Sequence, residues 1–542
     1  MDKTFNVKTA LPFAIISLFL VLGPILAAQL ATPHGYVFLG TLANHNDFSA
    51  YLAAMRQGAE GNWLFHFNFS PEAWRPQLML PMYITAGKIL PGVLYNSTWV
   101  NIIRVIALIG TLAVYEMWVR LVYPNEFNKQ WSAWILLVFG GGLGWLLLPI
   151  ASLIGIPNSA NLFPDIVTPE WTLGLVGSNA PHYMIGLLLE TMFFISYWNV
   201  TQNKGWKWVW ASLVFALLLG LIYVYNSAVL FSVIGIYLLW DTWKYRKVNW
   251  RKWMESSLIL LPLIPLLIYY GYWVNLDPAW AQYVVGEHNR IPPPTWYSLL
   301  SGMGIVGILA IAGLKKWHKT TQKHLLISWI AGNLLVMYIP FVQYTGRFTL
   351  GLWIPLATLA AYGLEEVVLP WLQQKSWYAG FSKLTTTPYE SLRRIILILT
   401  IPSSLIVSIL FLKNVFLVRD FPFYMPKSEI SAMEWLATRT DPQADLVLAY
   451  YPVGNYFPSI SNTRVFMGQF FLTVNYEEKI KQVEQFWQVE TPDGWRMDLI
   501  NKWKITYIYQ GRYEKALYQG IIIPPGELVY DKDDIQIYYV AP

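Results

Sequence analysis

One carboxylate, Asp47, lies in the His-Asn-Asp sequence 45–47, soon after the first long apolar segment of the chain. Its near neighbours are aromatic, amide and small residues, so an acidic group there is unusual. Such a carboxylate can take a proton from a hydroxyl group as a general base, a role that depends on proximity more than on a high pKa. A structural alternative is open as well, because an aspartate at the start of a helix is a good N-cap.

The residues after Asp47 predict the element that positions it. Tyr51 and Met55 follow at helical spacing, and the Arg-Gln-Gly sequence 56–58 closes the segment. This pattern predicts a short amphipathic helix along the membrane surface.

Three arginines could bind a phosphate group. Arg347 stands where a predicted membrane helix begins, and a guanidinium at that boundary can grip a lipid-linked phosphate with paired donors. It could equally extend to lipid headgroups. Arg290, before a run of three prolines, and Arg75, between Trp74 and Pro76, are further candidates. Alternatively, Arg290 and Arg75 are solvent-exposed loop residues that bind no phosphate.

Further polar side chains of the outer segments could line a sugar site, because carbohydrate hydroxyls need hydrogen bonds and carbohydrate C–H faces pack on aromatic rings. These side chains are His45, Asp165, Glu170, His182, Glu190 and His288. Several stand beside prolines, where turn formation is the simpler explanation. Glu190 lies deep in a predicted membrane helix, where a carboxylate usually faces a cavity or a partner. Together these groups suit a substrate with an apolar end and a phosphorylated sugar end.

The elements that carry these residues are membrane helices. Hydrophobic residues make up 55% of the chain, charged residues 13%, and the mean hydropathy is +0.38, which excludes a soluble domain of 542 residues. We predict eleven membrane-spanning helices, centred on residues 11–31, 99–119, 131–151, 182–200, 206–224, 226–243, 254–274, 296–314, 324–341, 348–368 and 394–415. The segment 76–90 is shorter and interrupted by Pro81 and Gly87, so we expect an interfacial or re-entrant helix there.

The distribution of charge predicts the orientation. Most lysine and arginine residues of the loops fall on the face that also carries the amino terminus, which is therefore cytoplasmic. With an odd number of spans, the tail, residues 416–542, lies outside with the first outer loop, residues 32–98. The tail holds 12 basic and 16 acidic residues, a formal charge of −4. Its segments predict a small α/β domain, with helices at 428–438 and 476–488 and strands at 446–450, 464–467, 505–509, 527–530 and 535–540.

Several functions are excluded or disfavoured. Without cysteine the chain has no disulfide, no thiolate nucleophile and no cysteine metal ligand. No histidine pair has the spacing of a helical metal motif, and there is no phosphate-binding glycine loop, no dinucleotide fingerprint and no GxSxG sequence. The basic isoelectric point follows from the membrane topology and does not indicate nucleic-acid binding. We expect no cofactor; a divalent metal is possible but not favoured.

At this point the chain resembles the polyprenyl-phosphate-sugar-dependent glycosyltransferases of the GT-C fold, which include protein O-mannosyltransferases, aminoarabinose transferases and oligosaccharyltransferases. The shared features are an acidic residue just after helix one, surface helices in the first outer loop, about eleven spans and an outer carboxy-terminal domain. The sequences 46–61 and 347–356 are similar to those of a set of largely uncharacterised bacterial membrane glycosyltransferases. The resemblance therefore implies a GT-C-like catalytic domain at 1–415 and an extracytoplasmic α/β domain at 416–542.

By this resemblance Asp47 takes the position of the catalytic base and Arg347 that of a residue near the donor phosphate. Many relatives have two adjacent acidic residues in the first loop, whereas His45 and Asn46 precede Asp47 here, which favours a metal-free mechanism. The implied reaction is an inverting transfer from a polyprenyl-phosphate sugar to an acceptor hydroxyl at the outer face of the cell membrane. The acceptor, which could be a glycan, a lipid or a protein, and the sugar stay open.

The tail could bind the acceptor or brace the outer loops, and its segment 454–458 fits a carbohydrate surface; a simple cap over the loops is the alternative. Two other functions compete with glycosyl transfer. A transporter or flippase of a lipid-linked saccharide needs similar groups, although no matching pair of broken helices accompanies the Gly140–Gly142 sequence. A non-catalytic cell-envelope assembly subunit is the other alternative.

Overall fold

The computed structural model describes residues 7–90, 97–276, 291–317, 320–340 and 345–541 of the chain. Helices dominate these residues. From the amino terminus to the tail, the α-helices are Val7–Leu30, His45–Ala59, Pro81–Ile89, Ser97–Val122, Phe127–Phe139, Gly144–Leu153, Pro164–Val167, Leu173–Ser178, Pro181–Thr201, Trp206–Ile222, Tyr225–Tyr245, Trp250–Leu260, Ile264–Leu276, Trp296–Lys316, Thr320–Met337, Trp353–Gly363, Leu369–Gln373, Tyr378–Phe381, Pro388–Ile398 and Pro402–Leu417. Shorter 3-10 turns are Ser159–Leu162, Leu261–Leu263 and Thr345–Thr349, and Leu364–Val368 is a π-helical turn.

Seven helical segments in the described part of the chain are long and apolar enough to cross a membrane, or eight if the bent pair Pro388–Ile398 and Pro402–Leu417 is one span. These segments fit a multi-pass membrane protein. All eleven segments predicted from the sequence contain helix, but Trp206–Ile222 and Lys323–Met337 are short for a span. The number of eleven spans therefore stays a prediction.

The described residues form two compact units. Unit 1 takes the described residues within Met1–Leu26, Ile102–Tyr269 and Ile291–Lys413, and unit 2 takes those within Ala27–Asn101, Tyr270–Arg290 and Asn414–Pro542. The first outer loop and the tail thus share unit 2, although hundreds of residues separate them in the chain. The domain boundary predicted at residue 415 stays a prediction.

Unit 1 has a core of large aromatic side chains. The indole of Trp118 makes edge contacts with Trp198 and Trp329, with ring centres 5.5 and 5.8 Å apart, and Phe194 stacks on Trp329. Such rings bury much apolar area and pack in defined orientations. The helices that carry them are therefore held rigidly against one another.

One predicted span of unit 1 is broken between Phe127–Phe139 and Gly144–Leu153. The amides of the break find partners elsewhere in the unit: Gly141 donates to the Thr400 carbonyl at 2.7 Å and Leu143 to the Ser301 carbonyl at 2.8 Å. The carboxylate of Asp165 accepts the Gly144 amide at 2.9 Å. A helix break inside a membrane protein is stable when its backbone groups are satisfied in this way.

The tail of unit 2 contains a five-stranded mixed sheet. Its strands, in spatial order, are Arg464–Val465, Leu446–Leu448, Tyr507–Gln510, Ile535–Tyr539 and Glu527–Lys532; the first three are parallel and the last two antiparallel to their neighbours. The tail helices are Lys427–Ala437, Tyr451–Gly454, Phe457–Ile460, Tyr476–Phe486, Asp493–Trp503 and Arg512–Lys515. Alternate strand residues enter two separate cores, Val447 on one side and Leu446 and Leu448 on the other, so both faces of the sheet are covered.

The first outer loop pairs with the tail through a small antiparallel sheet of Tyr36–Phe38 and Tyr424–Pro426. Leu39, which follows directly, packs in one of the two tail cores. The loop also holds two crossing helices, His45–Ala59 and Pro81–Ile89, and we call the former the loop helix. This helix carries Asp47.

Candidate functional site

Asp47 is the third residue of the loop helix, and the N-cap is Asn44 in a left-handed conformation. The structural alternative in which Asp47 caps the helix is therefore wrong. A carboxylate in the first turn of a helix interacts favourably with the partial positive charge of the helix N-terminus.

Tail residues surround the first turn of the loop helix. The side-chain amide of Gln469 donates to Oδ1 of Asp47 at 2.9 Å. The Tyr451 hydroxyl donates to Oδ1 of Asn46, and the Ser49 hydroxyl donates to Oδ1 of Asn455 at 2.8 Å. We call Asn46, Asp47, Ser49, Tyr451, Asn455 and Gln469 together the Asp47 centre. Neither Gln469 nor Tyr451 could be recognised from the sequence, because their partners lie more than 400 positions away.

The protonation of two groups near Asp47 follows from their surroundings. Burial, reinforced by the negative charge of Asp47, raises the pKa of Tyr451 to about 12, so its hydroxyl stays a hydrogen-bond donor at neutral pH. Burial also lowers the pKa of His45, whose ring meets Phe421 edge-on with ring centres 6.1 Å apart. His45 is therefore a neutral neighbour of Asp47.

The Arg-Gln-Gly sequence 56–58 fixes the loop helix. Arg56 forms an ion pair with Glu60 at 2.8 Å and donates to the Ile460 carbonyl of the tail. Gln57 exchanges two hydrogen bonds of 2.8 Å with the backbone of His66. At Gly58 the loop helix crosses Pro81–Ile89 so closely that a Cβ would lie 2.1 Å from the Ile84 carbonyl oxygen. This sequence serves the packing of the helix that carries Asp47.

The segment 454–458 is not a carbohydrate surface, because all five residues are buried. Tyr456 and Phe457 pack in a tail core, and Asn455 faces the loop helix. The expectation of an exposed glycan surface there is wrong; the alternation of polar and aromatic residues reflects packing between the tail and the loop.

A second cluster, in unit 1, gathers three of the predicted residues, Arg347, Glu170 and His182. Arg347 donates from Nη1 to the Tyr183 hydroxyl at 3.1 Å, and its guanidinium lies 5.3 Å from the centre of the Tyr225 ring. The His182 ring packs at a tilt of 33° against Tyr183, with ring centres 4.4 Å apart. We call these five residues, with Tyr223, the Arg347 cluster.

Glu170, which lies in a loop of unit 1, contributes the carboxylate of this cluster. It is buried and accepts a hydrogen bond of 2.9 Å from the Tyr223 hydroxyl. Burial raises the pKa of Glu170, while the charge of Arg347 opposes that rise. Within the part of the chain that the structure describes, Nε of Arg347 is buried and has no hydrogen-bond partner. A guanidinium with an unused buried donor can bind a further acceptor such as a phosphate oxygen.

The remaining predicted residues lie apart from these two groups. Glu190 is 0% exposed and accepts hydrogen bonds from Asn226 at 2.7 Å and Trp329 at 3.2 Å, so its burial is explained within unit 1. Asp165 is 1% exposed and binds Gly144 and, at 2.6 Å, the Ser403 hydroxyl. Its partners hold the helix break. A sugar or acceptor contact by Asp165 or Glu190 stays a prediction.

Arg75 is exposed in the outer loop of unit 2. Arg290 and His288 lie outside the described residues. No group of three or more His, Asp or Glu side chains that could hold a metal ion occurs among the residues that the structure describes. The metal-free mechanism stays a prediction.

No protein-family model and no curated protein matches this sequence. Solved structures do match its fold. The oligosaccharyltransferase of Archaeoglobus fulgidus in the apo form aligns over 94% of this chain and 70% of its own, with a TM-score of 0.57 and 10% identity. ArnT from Cupriavidus metallidurans bound to undecaprenyl phosphate aligns over 98% of both chains, with a TM-score of 0.53 and 9% identity.

A third similar structure is the arabinofuranosyltransferase AftD from Mycobacteria, which aligns over 99% of this chain and 42% of its own, with a TM-score of 0.53 and 13% identity. All three are GT-C glycosyltransferases. The chain therefore has the GT-C fold, and the fold that the resemblance implied is confirmed. Identities this low establish the fold alone and assign no residue a role.

Proposed function

We propose that this protein is a membrane glycosyltransferase that moves a sugar from a polyprenyl-phosphate donor to an acceptor hydroxyl, with inversion at the anomeric carbon. The observation that carries the proposal is the Asp47 centre: in a chain with the GT-C fold, a carboxylate in the first turn of the loop helix is held by an amide donor from the tail. The likeness to ArnT, which was solved with undecaprenyl phosphate bound, supports the donor class.

In the proposed reaction Asp47 is the general base. The acceptor oxygen attacks the anomeric carbon and forms the new glycosidic bond, while the bond from that carbon to the phosphate oxygen breaks. The acceptor proton passes to the Asp47 carboxylate, and the bonding electrons leave with the polyprenyl phosphate. Positive charge develops on the sugar in between, as in other glycosyl transfers. A positioned base of this kind contributes roughly 10²–10⁴-fold to the rate.

Arg347 is the proposed phosphate-binding residue. Its Nη1 is oriented by Tyr183, and its buried Nε keeps a donor without a partner in the described part of the chain. A phosphate oxygen would satisfy that donor and pair with the guanidinium charge, which stabilises the leaving group as its charge grows. Arg75 and Arg290 stay further proposed phosphate contacts, and His45, Glu170, His182 and His288 stay proposed sugar or acceptor contacts.

The proposal also states where the reaction takes place and that it needs no metal ion. The charge pattern supports an amino terminus in the cytoplasm and a tail outside the cytoplasmic membrane. The absence of an acidic neighbour next to Asp47 in the sequence supports a reaction that needs no divalent metal.

The test is sugar transfer by the purified protein in lipid bilayers, with a panel of radiolabelled polyprenyl-phosphate sugars as donors. Wild type is compared with Asp47→Asn and with Asp498→Asn, a matched control at an exposed aspartate of the tail helix Asp493–Trp503. Each variant is assayed with and without a chelator. We expect turnover by wild type and Asp498→Asn that the chelator leaves intact, and a loss of at least a hundredfold in Asp47→Asn.

Two results would contradict the proposal. Full turnover by Asp47→Asn removes Asp47 from the base role. No turnover by wild type with any donor, combined with movement of a lipid-linked saccharide across the bilayer, replaces the transferase by a flippase.

A further inference from the structure

The side chain of Gln469, in the tail, donates one hydrogen bond and accepts another. Nε2 donates to Oδ1 of Asp47 at 2.9 Å, and Oε1 accepts the backbone amide of Leu472 at 2.6 Å. The second bond fixes the orientation of the amide group, because a flipped side chain would place an NH₂ group against the Leu472 amide and an oxygen against the carboxylate. Gln469 is 1% exposed, so water does not replace these bonds readily.

The turn that carries Gln469 is itself anchored to the outer loop. The backbone carbonyl of Gln469 accepts hydrogen bonds from the backbone amides of Leu472 and Thr473, at 3.0 and 2.9 Å. The Thr473 hydroxyl accepts the Gly468 amide at 3.0 Å and lies 2.9 Å from the Phe69 carbonyl of the loop, to which it can donate. The amide donor of Gln469 is therefore held in place before any substrate binds.

The tail does not need Gln469 to hold the loop. Lys479 forms an ion pair with Glu72 at 2.6 Å, and Asn68 donates to the Asn462 carbonyl at 2.9 Å. Arg56 adds its bond to the Ile460 carbonyl. None of these three contacts involves Asp47 or Gln469, and each joins the loop to the tail, whereas the Gln469 bond acts on the carboxylate itself.

We propose that Gln469 is a positioning residue for Asp47: its amide holds the carboxylate in one orientation and favours the ionised form that accepts the proton. The tail thus completes the catalytic base and is more than a cap over the loops. This inference rests on the proposed function. A hydrogen bond to an ionised carboxylate is stronger than one between neutral groups, so its loss changes both the orientation and the protonation of Asp47.

The experiment compares wild type with Gln469→Met, which keeps the length and loses both bonds, and with Gln469→Glu, which keeps an acceptor for Leu472 and places a second carboxylate against Asp47. Gln443→Glu, at an exposed glutamine of the tail, is the matched control. For each protein kcat and KM for transfer are measured across pH. We expect kcat to fall about 10–100-fold in Gln469→Met and further in Gln469→Glu. The acid-side inflection should move to higher pH in both, by about one unit, with the KM for donor unchanged.

A second measurement does not depend on activity. Gln469→Glu should lower the melting temperature in the wild-type background, where two carboxylates meet, and lower it much less in the Asp47→Asn background. A variant that merely disturbed packing would lower it equally in both backgrounds. If one substitution at 469 prevents folding, the other carries the comparison.

The outcomes separate this inference from the proposed function. Transfer that requires Asp47 but keeps its wild-type kcat and pH profile in both variants at 469 overturns the role of Gln469 and leaves the proposed function intact. An equal loss of melting temperature in both backgrounds also overturns it. Wild type that transfers no sugar from any donor removes the proposed function and this inference together.

Discussion

Adding a methyl group at Gly58 should separate the two crossing helices of the outer loop. A Cβ at Gly58 would lie 2.1 Å from the Ile84 carbonyl oxygen, and one at Gly87 would lie 1.8 Å from the Met55 carbonyl oxygen. Ordinary contacts begin at 3.4 Å, so Gly58→Ala forces the backbones apart by at least about 1.3 Å. Neither partner atom can rotate away, because both belong to the main chain of a helix.

Two effects of opposite sign compete in this substitution. Alanine is a better helix former than glycine by up to about 1 kcal/mol. Forced separation of packed elements costs about 1–3 kcal/mol, and here it also disturbs the stacked rings of Tyr51 and Tyr83, whose centres are 4.7 Å apart. With a helix gain of about 1 kcal/mol subtracted from that cost, we expect net destabilisation by up to about 2 kcal/mol. Because both glycines serve the same crossing, Gly58→Ala with Gly87→Ala should cost less than the two single changes added together.

Thermal unfolding of the protein in lipid measures this effect, with Gly494→Ala as the control. Gly494 lies in the tail helix Asp493–Trp503, and a Cβ there meets no atom within 4 Å, so only helix propensity acts. Gly494→Ala should raise the melting temperature slightly, while Gly58→Ala lowers it by several degrees and reduces transfer by about 100-fold, since a catalytic group displaced by ~1 Å loses that much. An increase in melting temperature for Gly58→Ala equal to that of Gly494→Ala would refute the close crossing.

Two further predictions concern the Arg347 cluster and the tail. Arg347→Lys keeps the positive charge but loses the paired donors of the guanidinium, so the KM for the polyprenyl-phosphate donor should rise about 10–100-fold. Arg246→Lys, at an exposed arginine, should leave this KM unchanged. If the KM of Arg347→Lys equals that of Arg246→Lys, phosphate binding by Arg347 is excluded. Burial and the neighbouring Glu429 raise the pKa of Glu514 to about 8 from an ordinary 4.5, so the stability it contributes is present below pH 4.5 and is lost as the pH rises to about 8. The melting temperature should fall between pH 5 and pH 8 and fall less steeply in Glu514→Gln; parallel curves would show that Glu514 does not titrate in this range.

Local patterns predicted the membrane helices, two of the six described tail helices and the five strands of the main tail sheet. Apolar segments of spanning length appear as helices, and the predicted tail strand at 535–540 appears as Ile535–Tyr539. The helix predicted after Asp47 appears as His45–Ala59, which begins two residues before the carboxylate. Its position along the membrane surface stays a prediction. These features depend on hydrophobic periodicity over neighbouring residues, which is visible in one sequence.

The partners of the candidate residues were not predictable in the same way. Glu170, His182 and Arg347 were chosen separately for their chemistry, and only the folded unit 1 shows that they meet around the same tyrosines. Asp165 carried the same chemical signal, yet its carboxylate holds a helix break. The sequence shows the same residue type whether a polar side chain binds a substrate or holds the fold together. Its burial and its hydrogen-bond partners decide between these roles.

The sequence by itself determined that this is a multi-helix membrane protein and that Asp47 stands near the start of a helix, because hydropathy and helical spacing act over a few residues. The GT-C fold followed from a resemblance to known proteins, and the similar solved structures confirm it. Only the tertiary structure decided that the tail supplies Gln469 and Tyr451 to that helix, and that the Arg-Gln-Gly sequence 56–58 serves its packing. The physical reason is that hydrogen bonds and close backbone crossings join residues by distance in space, and the 422 positions between Asp47 and Gln469 leave no local pattern that records their meeting.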